Sequence, residues 1–62
     1  SVDPDAVILS QQKVDEIRDR LFELRCAAED IQTAATEGAS ASELGPLCDE
    51  LVGLAQQLER LR

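Results

Sequence analysis

Apolar residues at Val7, Val14, Ile17, Leu21, Leu24, Ala28, Ile31 and Ala35 follow an alternating spacing of three and four, interrupted only at Ser10. That spacing is the repeat of one narrow face of an α-helix. After the stretch Gly38-Ala39-Ser40-Ala41-Ser42 it returns without a gap at Leu44, Leu47, Leu51, Leu54, Leu58 and Leu61. Two helices joined by a short connection become antiparallel neighbours. The expected fold is therefore all-α, a two-helix hairpin.

Helix ends are legible from the residues that satisfy unpaired backbone groups. Ser10 is a good N-cap, with Leu9 and Val14 at the two positions of a hydrophobic staple, so helix 1 is expected over about 10–37. Residues 1–9 then form an extended N-terminal segment. Asp3-Pro4 is a competing start, an acid cap followed by proline at the first helical position, and it would lengthen the helix by two turns. Gly38 suits the left-handed conformation that ends a helix. The turn is expected over 38–42 and helix 2 over about 43–61. Ser40 and Glu43 have capping-box spacing, Ser42 is a rival cap, and Gly45-Pro46 leaves the start open between 41 and 46. Gly53, in the middle of helix 2, weakens it by about 1 kcal/mol relative to alanine.

A chain of 62 residues buries only about 60% of its unfolded surface, and below roughly 70–80 residues a fold usually needs a disulfide, a metal or a second chain. There is no histidine and no CxxC pair, which removes the common zinc sites. Cys26 lies opposite the leucine seam and Cys48 on its flank in helix 2, so an intramolecular bridge would rotate the helices out of register. Cys48 reads as a small core hydrophobe and Cys26 as an unreactive thiol. Association remains. Ala27 and Ala34 on helix 1, with Cys48 and Ala55 on helix 2, widen each apolar stripe beyond what one partner helix covers. A four-helix bundle made by two hairpins accounts for that width, and completion by another helical protein is the alternative.

In size and topology this plan is similar to the Rop family of RNA-binding hairpin dimers and to the small helical co-chaperones of type III secretion systems. The first resemblance implies a nucleic-acid-binding hairpin dimer that uses cationic and aromatic residues of helix 1, where Lys13, Arg18, Arg20 and Arg25 stand. Against it, 13 acids and 6 bases leave a formal charge of −7, which repels phosphates over most of the surface. Ala6 to Leu9, the longest aliphatic run, is far below the roughly 20 residues of a membrane span. With no leader segment evident, a soluble cytoplasmic protein is expected.

Catalysis is not expected. Asp15-Glu16 and Glu29-Asp30 are adjacent on a helix and do not converge, and no histidine, phosphate loop or zinc ligand set is present. No cofactor or small-molecule substrate is implied. The one aromatic residue, Phe22, lies about 130° from the seam, with Arg18 and Arg25 on the same face. Arginine and aromatic anchors dominate interface hot spots, and a guanidinium can stack on the ring. Arg18, Phe22 and Arg25 are therefore the candidate partner-binding residues. The alternative is that Val7-Ile8-Leu9 folds back over the ring, since nine extended residues reach about 30 Å. The function expected is a non-catalytic protein–protein interaction module: an adaptor, a regulator or a chaperone-like subunit.

Overall fold

The computed structural model describes residues 3–61. Among them the chain forms two helices, α1 (Pro4–Thr36) and α2 (Ala41–Arg60), which pack against one another as a hairpin.

Helix α1 starts at Asp3-Pro4, not at Ser10. The Asp3 carboxylate accepts a hydrogen bond from the Asp5 N–H at 3.0 Å, and its carbonyl accepts the first helical bond from Val7. Proline follows at the position where its missing N–H costs nothing and its fixed φ is already helical. The extended segment over 1–9 is thereby corrected: residues 4–9 are helix, and Ser1 and Val2 lie outside the described residues. At the other end Gly38 takes φ 85°, the left-handed position expected of it. Its N–H donates to Ala35, and the Ala39 N–H donates to Ala34 at 2.9 Å. This is the paired-bond stop that uses up the last carbonyls of a helix.

Helix α2 begins from Ser40, which accepts from the Glu43 N–H while the Glu43 carboxylate accepts from the Ser40 N–H. The reciprocal pair settles the start in favour of Ser40. The rival cap, Ser42, instead bonds hydroxyl to hydroxyl with Ser40 at 2.9 Å. Pro46 is accommodated inside the helix. It removes the donor for the Ser42 carbonyl, but both residues are exposed and water reaches that oxygen.

All six leucines of the α2 seam, Leu44 to Leu61, are half-buried against α1, as their spacing predicts. On α1 the facing stripe is rotated by one residue at alternate positions. Ile17, Leu24 and Ile31 face the partner helix as expected, but Ala27 and Ala34 replace Ala28 and Ala35, and Arg20 replaces Leu21. Ala27, at 6% exposure, is the one buried residue among those described, whereas Leu21 remains 47% exposed. Alanine at 27 and 34 lets the two helix axes approach closely.

The helices are unequal. At about 1.5 Å per residue α1 is some 50 Å long and α2 some 30 Å, so the first three to four turns of α1 run past the end of α2. Every residue from Asp3 to Glu16 is exposed. The resulting shape, 57 × 17 × 9 Å with a radius of gyration of 16.2 Å, compares with roughly 11 Å for a compact domain of this length.

Candidate partner-binding surface

Phe22 projects from α1 with 58% of its surface exposed. Arg25, one turn later, carries its guanidinium carbon 5.3 Å from the ring centroid, within cation–π range. The same guanidinium lies 3.7 Å from Glu29, an exposed pair that water screens. Arg18 is exposed one turn before the ring and forms no ion pair among the described residues. The three residues share one outward surface, as their spacing predicts, but only Arg25 engages the ring.

Among the described residues, nothing from the N-terminal segment covers Phe22. Residues 4–9 continue the helix away from it, and Val7, Ile8 and Leu9 are themselves exposed. The fold-back alternative is overturned because the backbone that would have crossed the ring is committed to helical hydrogen bonds. Towards α2 the ring instead borders a shallow groove lined by Cys26 and Asp30 of α1 and by Glu50 and Leu54 of α2.

The remaining polar groups are modest. Arg20 lays its stem in the helix–helix contact and pairs with Glu23 at 2.9 Å, while its Nε is buried with no hydrogen-bond partner. An orphaned donor of that kind costs about 1–3 kcal/mol. Both cysteines are free: Cys26 is half-buried and Cys48 is exposed. Reading Cys48 as a core residue is thus corrected, because it lies off the leucine row on an exposed part of α2. Among the described residues no cluster of three metal-ligating side chains occurs, and no helix is long and apolar enough to cross a membrane.

A second surface was missed in the sequence. Val14, Leu21 and Val52 are large, apolar and exposed. The available signal was the strict seven-residue spacing Val7-Val14-Leu21-Ala28-Ala35, which the three-four seam contains and which one partner helix does not cover. Compared with protein-family models, curated proteins and solved structures, the chain has no match.

Proposed function

We propose that the chain is a non-catalytic protein–protein interaction module, a self-associating hairpin acting as an adaptor, regulator or chaperone-like subunit in the cytoplasm. The observation that carries this reading is the ratio of buried to exposed apolar surface. Among the described residues one small residue, Ala27, is buried, whereas seven large hydrophobic side chains are exposed. A chain that leaves so much apolar area in water gains by covering it with another chain. Phe22 with Arg18 and Arg25 has the composition of a hot spot for a further partner.

Sedimentation and thermal melts over about a hundredfold range of protein concentration test this reading, because association makes stability rise with concentration. A monomer with an unchanging midpoint ends it. Filter binding of single- and double-stranded RNA and DNA at low and high salt separates the nucleic-acid alternative, whose affinity must fall steeply with salt.

A further inference from the structure

We infer that a second copy of the chain docks on one particular broad side of the hairpin, the side that carries Leu21, Ala28 and Ala35 of α1 and Cys48 and Val52 of α2. This inference rests on the self-association just proposed and assigns its surface.

Two grooves fix which flanks of the helices lie together. One brings Cys26 and Asp30 beside Glu50, and the other, near the turn, brings Ala34 and Glu37 beside Glu43. Asp30, Glu37, Glu43 and Glu50 therefore share one broad side. Residues two positions apart on a helix point about 160° away from each other. Ala28 is thus turned away from Asp30, Ala35 from Glu37, and both Cys48 and Val52 from Glu50. These four lie together on the other broad side, and the seven-residue spacing continues their row to Leu21 and Val14. Ala28, Ala35, Cys48, Leu21, Val14 and Val52 are all exposed there. The hairpin has one acidic side and one apolar side.

Three observations select a second copy as the occupant. The first is area. The chain exposes 4899 Å², against about 3,950 Å² for a folded monomer of its mass. The excess, about 950 Å², includes the overhanging turns of α1 and is of the size of the roughly 800 Å² that each partner contributes to a standard interface. The second is charge: each copy carries −7, and apposing apolar sides leaves the carboxylate rows of both copies facing outward. Glu59, one turn beyond Ala55, is an acid at the open end of that side. The third is shape. Small Ala28, Ala35 and Cys48 lie beside large Leu21 and Val52, so a two-fold arrangement can seat large residues of one copy over small residues of the other. Phe22, on the groove side, stays free.

The two cysteines make the test possible in the unaltered, reduced protein. In a single hairpin Cys48 is exposed and Cys26 half-buried, so N-ethylmaleimide should modify Cys48 faster. In the dimer inferred here Cys48 is covered and Cys26 is not. Peptide mass spectrometry should therefore find Cys26 modified first at high protein concentration, with the protection of Cys48 lost on dilution. Leu21→Glu and Val52→Glu should shift sedimentation from dimer to monomer, and Phe22→Glu should leave the dimer intact. A dimer in which Cys48 reacts faster at every concentration, or which only Phe22→Glu dissociates, overturns this surface while self-association stands. A monomer at every concentration overturns self-association itself. Should the glutamate variants unfold, the order of thiol modification in the unaltered chain still decides.

Discussion

Arg25 holds its guanidinium 5.3 Å from the Phe22 ring on the outside of α1, where both side chains stay mostly in water. An aromatic residue in that setting adds little to the stability of its own helix. Phe22→Ala should leave helicity and melting nearly unchanged at fixed protein concentration, while weakening the binding of a captured partner by about 2 kcal/mol or more, the hot-spot scale. Circular dichroism and binding titrations on the same preparation separate the two effects. Loss of the fold, or full-strength binding, would remove Phe22 from the interface.

The helix–helix contact should be far more sensitive. Leu51→Ala removes a half-buried member of the leucine row, and a loss near the low end of the 2–5 kcal/mol range for core leucines is expected, about 2 kcal/mol. Gln57→Ala, on the exposed part of α2, is the matched control and should change little. Equal losses from the two would mean that the leucine row is not the contact.

Arg20 invites the opposite change. Its stem lies against α2 while its Nε lacks a partner, so Arg20→Leu keeps the apolar contact and removes the orphaned donor. Glu23, partly exposed, regains water when its partner goes. Urea unfolding at fixed concentration should show a gain of about 1 kcal/mol; a loss would mean that the Arg20–Glu23 pair outweighs the unsatisfied nitrogen.

The two N-caps should behave differently although their chemistry is alike. Ser40→Ala breaks the reciprocal bonds with Glu43 in a helix that is packed along its length, and about 1 kcal/mol of global stability should go with it. Asp3→Ala acts on turns of α1 that touch nothing in the hairpin. Its expected result is faster amide exchange in residues 4–16, with the melting midpoint in place. A clear drop in midpoint from Asp3→Ala would show that the overhang is supported by another chain.

Local signals in the sequence were sufficient wherever a short-range bond decides the outcome. The two helices, the glycine stop at Gly38, the capping box of Ser40 with Glu43, and the outward position of Phe22 between two arginines all follow from residues within one or two turns of each other. The N-terminus shows the limit of the same reasoning, since Asp3-Pro4 and Ser10 are both competent starts and a cap residue does not reveal whether helix precedes it. What only the tertiary structure decided is the rotation of α1. A three-four repeat defines an apolar stripe about two residues wide, and Ala27, Ala28, Ala34 and Ala35 fit either edge of it. In the hairpin it is Ala27 and Ala34 that turn towards the leucine row of α2. That rotation turned Leu21, Ala28 and Ala35 outward and laid Arg20 in the contact. Packing between helices depends on the pair of surfaces that meet, and neither surface alone specifies it.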